Sequence, residues 1–266
     1  MFVGVNGVGK KNTIGKILVP EYVDYVLSPS ENVDNIIVKQ FGLRSKEQCL
    51  HTGFPCHDIF YSKPEPLEFL SDYDKKIIWA PTFRKGGGYN RNDSTASYPL
   101  GIPLLETLDE VAHLNEYLSQ RDICLVVKLH PMQDISDLEL KQFSHIKFLT
   151  NQDLNREKTN MYQLLMNSDA LLSDYSAISY DYLHLNKPIG YVFSDLDDYK
   201  LGLSVENVDD YIAGDKIMSF NDLLHFIENI YIEIDKNKEK RKELFNKIFE
   251  KQDGESCERL AKIMEL

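Results

Sequence analysis

Residues 170–191, Ala-Leu-Leu-Ser-Asp-Tyr-Ser-Ala-Ile-Ser-Tyr-Asp-Tyr-Leu-His-Leu-Asn-Lys-Pro-Ile-Gly-Tyr, constrain this chain more than any other stretch. Ala170, Leu171 and Leu172 form a short apolar run suited to a strand buried in a parallel sheet. Ser173 to Ser176 are polar and turn-forming. Ile178, Tyr182 and Leu185 recur at helical spacing, Asn186 ends that helix, and Pro188 to Val192 open another strand. Strand, polar turn, helix, strand is the unit of an α/β fold with a parallel sheet. The turn then sits at the carboxyl end of a strand, where open α/β sheets bind ligands. Free N–H groups and the helix dipole favour a phosphate there, with hydroxyls from Ser176 and Ser179. The simpler reading of Ser176 is an N-cap.

The same alternation runs through the rest of the chain. A strand within Tyr22–Leu27, a helix from Glu31 to Phe41 capped by Ser30 and ended by Gly42, and a strand within Gln48–Gly53 make one β-α-β unit. Residues 56–74, with Pro64 and Pro66, read as a linker. Strands follow at Lys76–Phe83, Ile123–Leu129 and Ile146–Leu149, with helices over 104–119, near 135–143 and over 161–166. Residues 85–100 read as a ligand-covering loop. Residues 200–217 read as irregular, 220–233 as a helix, and 236–252 as a charged helix with a solvated face. The expected division is a short, incomplete first α/β lobe over 1–60 and a complete Rossmann-like lobe over 61–266.

Composition narrows the partners. A net charge of −12 argues against nucleic acid and leaves room for only a local basic cleft. Cys49, Cys56, Cys124 and Cys257 have neither zinc nor disulfide spacing, which points to reduced thiols in a cytoplasmic protein. No apolar run reaches the length of a membrane span, so any membrane association would be peripheral. Gly4-Val5-Asn6-Gly7-Val8-Gly9-Lys10-Lys11 nearly spells a phosphate loop. Lys11 stands where a magnesium-binding hydroxyl belongs, however, and the three residues before the glycines are too few for the required strand.

Three polar tips fall at the ends of parallel strands: Thr82 with Arg84, Lys128 with His130, and Ser173, Asp174 and Ser176. Converging on one sheet edge, they would suit an anion such as a pyrophosphate. His130, followed by Pro131, is the sharpest single candidate. His57 could face the cleft from the linker. No spacing indicates a metal, and no cofactor is expected.

In order along the chain, several blocks resemble the CDP-glycerol glycerophosphotransferase family. They are Ser28-Pro29-Ser30, Gly53-Phe54-Pro55 with Asp58, Trp79-Ala80-Pro81-Thr82-Phe83-Arg84, Lys128-Leu129-His130-Pro131, Ser173-Asp174-Tyr175-Ser176-Ala177 with Asp181, Lys187-Pro188, and Asp253-Gly254 with Ser256. The family is similar to GT-B glycosyltransferases, with two Rossmann-like lobes around a cleft. The resemblance implies transfer of glycerol phosphate or ribitol phosphate from a CDP-alditol such as CDP-glycerol to a hydroxyl of a polymer or lipid-linked acceptor, at the inner membrane face. It implies that His130 is catalytic and contacts donor phosphate, that Ser176 and Ala177 hold the pyrophosphate, and that Thr82 and Arg84 shape the donor cleft. The family's first lobe is longer and carries a His-Gly motif whose histidine acts as base. Here the matching place reads Asn6-Gly7, and asparagine accepts no proton at neutral pH.

Overall fold

The computed structural model describes residues 2–3, 23–82, 102–129, 143–174, 176–196 and 207–265. Strands β1 (Phe2–Val3), β2 (Tyr25–Leu27) and β3 (Cys49–Leu50) form a small parallel sheet in that order. Helix α1 (Asp34–Phe41) packs on it and ends at Gly42, whose φ of 62° gives the left-handed turn that glycine adopts freely. Ser30 makes no side-chain cap; a 3₁₀ turn over Glu31–Val33 precedes α1 instead. The β1 pairing was not expected, since Phe2-Val3 reads in isolation as too short for a strand.

The second sheet has six strands: β4 (Lys75–Trp79), β5 (Ile123–Lys128), β6 (Ile146–Leu149), β7 (Ala170–Ser173), β8 (Ile189–Val192) and β9 (Asp215–Ile217). Their order is β6-β5-β4-β7-β8-β9, every pair parallel. The chain steps outward from β4 to β6, returns to β7 beside β4, and steps outward the other way. The reversal between β4 and β7 is the switch point at which such sheets open a crevice.

Side-chain alternation splits the core into two layers. Ile77, Trp79, Leu125, Val127 and Leu172 face helices α2 (Leu108–Ser119) and α6 (Phe220–Tyr231), meeting Val111, Leu114 and Phe226. Ile78, Val126, Leu171 and Tyr191 face the other way. They meet α4 (Met161–Met166), α5 (Ile178–Tyr182) and α7 (Lys238–Ile248), together with Leu27 and Phe54 from the first part of the chain. α2 starts at Leu108, not 104, because Thr107 and Glu110 form a reciprocal capping box (3.2 and 3.0 Å). A second box, Thr150 with Asp153, opens α3 (Asn151–Arg156), a helix too short to show periodicity in the sequence. Strand β9 lies in a stretch read as irregular. With only three residues, it is defined by pairing to β8 rather than by any pattern of its own.

Two other expectations are corrected. Residues 56–74 are not a plain linker: 3₁₀ turns occupy Pro55–Tyr61 and Glu68–Leu70, and His57 and Leu70 are buried. The charged helix α7 does not offer only a solvated face. Arg241 is 1% exposed, held by Asp235 and by the Asn186 carbonyl (3.1 Å).

The last helix, α8 (Ser256–Ile263), returns to the start of the chain. Asp58 accepts from the Ser256 and Cys257 amides (3.0 and 2.8 Å), Arg259 donates to the Thr52 carbonyl (2.8 Å), and the Glu250 amide donates to the Pro29 carbonyl (3.0 Å). Gly53, with φ of 76°, lies so close that a Cβ would come within 2.4 Å of Ser256 Oγ. Among the described residues, no helix is long and apolar enough to cross a membrane.

Candidate functional site

A cavity of about 450 Å³ opens at the carboxyl edge of β4, β5 and β7, within the size range of small-ligand sites. Ala80, Pro81 and Thr82 extend β4 into it. Lys128 and Leu129 end β5, Ser176 and Ile178 follow β7, and residues of α3 and of the turn into α4 (Asn151, Asn155, Thr159, Asn160) close the far side. Ladder pairing sets these tips at one level: Trp79 lies opposite both Val127 and Leu172, and Lys128 opposite Leu149.

Asp174 joins the two sides of the switch point. Its carboxylate accepts from the Thr82 amide (2.7 Å), the Thr82 hydroxyl (2.6 Å) and the Ser176 amide (3.0 Å) while being 1% exposed. Charge-assisted bonds of this kind are the strong ones, so the carboxylate fixes the loop after β4 against the turn after β7. Asp174 and Ser173 are buried and do not line the cavity; they support it. The Ser173 hydroxyl is enclosed without a partner among the described residues. Ala177 is the N-cap of α5, and no side chain caps that helix, so the N-cap reading of Ser176 is not realised. Ser176 itself lines the cavity. Arg84, His130 and the Asn6-Gly7 and glycine-lysine stretch lie outside the described residues, as do the helix expected near 135–143 and Tyr175.

Lys128 supplies positive charge. Its ammonium donates to the Leu129 carbonyl (2.8 Å), and burial pulls its pKa below the ordinary lysine value, with Asp153 opposing. A lysine has three donors, and a buried cation is costly unless an anion compensates it. Lys128→Met is therefore expected to cost little stability and to weaken binding of any anion in the cavity by roughly tenfold, about one charge-assisted hydrogen bond. Calorimetry with pyrophosphate would check this.

Thr159, on the far wall, carries a buried hydroxyl without a partner among the described residues. With Asn151 and Asn155 one helical turn apart, it makes that end polar and uncharged. The sequence reading missed this wall because amides and threonines carry no motif.

Behind the cavity lies a second group that sequence reasoning placed differently. His57 does not face a cleft. It is 3% exposed, and its Nε2 lies 2.7 Å from Asp181 Oδ1 on α5. His184 Nε2 lies 3.1 Å from His57 Nδ1, and the Tyr61 hydroxyl 3.4 Å from His184 Nδ1. Burial, reinforced by His57, pushes the His184 pKa down to about 3, so this ring is neutral. Burial keeps the Tyr61 phenol protonated, with a raised pKa. One tautomer set satisfies the row: Tyr61 donates to His184, His184 to His57, and His57 to Asp181. Phe54, Phe60, Tyr162 and Phe249 ring His57. The only sequence signal was that His57 and Asp181 both fall within or beside the resembling blocks.

Over residues 7–266 the sequence matches the family described as CDP-Glycerol:Poly(glycerophosphate) glycerophosphotransferase. The teichoic acid ribitol-phosphate polymerase TarK of Staphylococcus aureus (strain NCTC 8325 / PS 47) is 27% identical over 272 residues, covering 98% of this chain and 49% of that protein. The teichoic acid glycerol-phosphate primase of Bacillus subtilis (strain 168) is 34% identical over 196 residues, 71% of this chain and 44% of that one. The chain thus spans about half the length of the curated relatives it matches. Among solved structures, the wall teichoic acid polymerase TagF superposes with a TM-score of 0.70 at 22% identity, over 91% of this chain and 57% of TagF. A TagF variant has been soaked with CDPG. The UDP-GlcNAc 2-epimerase of Methanocaldococcus jannaschii superposes with a TM-score of 0.52 at 15% identity, over 91% of this chain and 61% of that one. The fold is therefore GT-B-like, with a six-stranded parallel sheet and, among the described residues, a three-stranded parallel one.

Proposed function

Because the chain belongs to the CDP-glycerol:poly(glycerophosphate) glycerophosphotransferase family, we propose that its cavity binds a CDP-alditol and that the chain transfers glycerol phosphate or ribitol phosphate to a hydroxyl of a teichoic-acid-like or capsular acceptor, releasing CMP. In this reading residues 61–266 form the donor lobe and residues 1–60 belong to the acceptor-side lobe. The observation that carries it is the cavity at the switch point, lined by Lys128, Thr82 and Ser176 and held in shape by Asp174.

The chemistry follows from the residues. Phosphoryl transfer depends mainly on holding donor and acceptor in line and on stabilising charge that spreads over the phosphate oxygens. Lys128 offers a cation at the cavity wall and the Ser176 hydroxyl a neutral donor beside it, while Thr82 gives its hydroxyl proton to Asp174 and presents an acceptor oxygen. Arg84, two residues after Thr82, and His130, next to Leu129, are assigned to the donor phosphates, His130 as the catalytic group. The uncharged wall of Asn155 and Thr159 suits the less charged remainder of the donor. Work at the inner face of the cell membrane belongs to the same reading.

A second reading is favoured by Asn6. If the first-lobe base is an asparagine, the chain binds donor without turning it over. Calorimetry separates the possibilities. CDP-glycerol is expected to bind at least about tenfold more tightly than UDP-GlcNAc or CMP, a difference of roughly 1.4 kcal/mol. Equal binding of the UDP compound would sink the CDP-alditol reading. Selective binding without CMP release in the presence of acceptor would leave the silent module.

A further inference from the structure

Given that donor site, we infer that His57 is a positioning residue which sets the cavity wall through Asp181. The wall after β7 is made by Ser176 and Ile178, and Asp181 lies on the same short helix. That helix has five residues and no side-chain cap, so its own hydrogen bonds fix it weakly. Asp181 is 4% exposed, and the His57 bond at 2.7 Å is the contact that anchors it from 124 residues away. His57 also packs edge-on against Tyr162, at 6.4 Å between ring centres, and Tyr162 adjoins the wall residues Asn160 and Met161. One imidazole therefore touches both elements that form this side of the cavity.

The support behind His57 is continuous. Its segment, Pro55–Tyr61, carries Asp58, which receives the first amides of α8. His184 fixes the ring from the other side. A buried hydrogen-bonded row of this kind is rigid when fully satisfied and loosens as a unit when one member is lost. The arrangement ties the donor wall to the segment joining the two sheets, so the position of that segment is felt at the cavity.

The test compares His57→Phe, which keeps ring packing and loses the N–H, with His57→Gln, which keeps a donor. Two quantities are read: hydrogen exchange of residues 176–182 in the ligand-free chain, and affinity for CDP-glycerol. His57→Phe is expected to speed exchange at 176–182 by roughly tenfold relative to 123–128, and to weaken CDP-glycerol by a similar factor, as for loss of one hydrogen bond to a carboxylate. His57→Gln is expected to recover most of both. Uniform exchange across both segments with unchanged affinity would show that His57 only fills the core and would overturn the inference. Should His57→Phe not fold, Asp181→Leu, which removes the acceptor, carries the same comparison. Failure of the unaltered chain to bind CDP-glycerol would refute the donor reading, while the exchange comparison would still decide the role of His57.

Discussion

Asp174→Asn is expected to weaken CDP-glycerol binding by one to two orders of magnitude and to lower stability by about 3 kcal/mol, since a buried donor left without an acceptor costs about 1–3 kcal/mol. Among the described residues the carboxylate serves three donors: the Thr82 amide, the Thr82 hydroxyl and the Ser176 amide. An asparagine keeps the shape but offers one acceptor oxygen and adds two donors of its own. The new amide must face a donor on one side or the other, and the loop after β4 then parts from the turn after β7. Thr82→Val is the graded control. It removes one donor and keeps the backbone bond, so it should cost about 1 kcal/mol and weaken binding less. Denaturant titration and calorimetry measure the two effects. Asparagine binding CDP-glycerol as tightly as aspartate does would show that this carboxylate does not organise the cavity.

The second large effect is expected far from the cavity. Arg241 is enclosed between α7 and the turn at Asn186, with Asp235 as its counter-ion. Asp235→Ala strands a buried guanidinium, and breaking such a pair from one side costs about 3–5 kcal/mol. Against a total stability of about 5–15 kcal/mol, that is enough to unfold a marginal chain. Arg241→Met removes the charge together with the need for a partner and should cost less, about 1–2 kcal/mol. The midpoint of urea unfolding ranks the two. Asp235→Ala as stable as Arg241→Met would show that the guanidinium is not enclosed. The pH dependence has a definite sign. Burial raises the Asp235 pKa, but the Arg241 bonds outweigh it and hold the pKa below the ordinary 3.8. The pair's stabilisation is therefore present above about pH 3.8 and is lost as pH falls through the lower folded value.

Much of the second sheet was legible in the sequence because its strands are buried on both faces and read as apolar runs. Ile123–Lys128 and Ala170–Ser173 are the plainest cases, with every residue buried. Three short elements, β1, β9 and α3, were not legible. They owe their existence to pairing partners or to a capping box, and a residue pattern needs more turns or alternations than they contain. At the site, Thr82, Lys128 and Ser176 meet at one edge, as parallel strand ends require. Asp174 and Ser173 carry the same motif but stand behind the wall: both are buried, and Asp174 turns its carboxylate onto Thr82 and the Ser176 amide. His57 was misjudged for a related reason. Its neighbours Phe54 and Phe60 are aromatic, and the hollow they fill is made by α5 and α7, which lie more than a hundred residues further on. Several blocks that carry the family resemblance proved to be joints. Asp58 meets Ser256 and Cys257, Gly53 meets Ser256, and Lys187 holds the Met166 and Ser168 carbonyls.

The return of α8 to Gly53 and Asp58 has a consequence for how the chain is made. Residues 23–61 depend on residues 247–259 for Asp58's helix partners, for the Thr52 contact and for the cover over Pro29. On a ribosome adding about 5–20 residues per second, the early segment waits roughly 10–40 seconds for its partner to emerge. During that interval the six-stranded sheet can form, while Asp58 and the Thr52 and Pro29 carbonyls wait for their partners. Residues 247–259 therefore complete residues 23–61, and a ribosome stalled in α7 would carry a formed sheet beside an unfinished 23–61 segment.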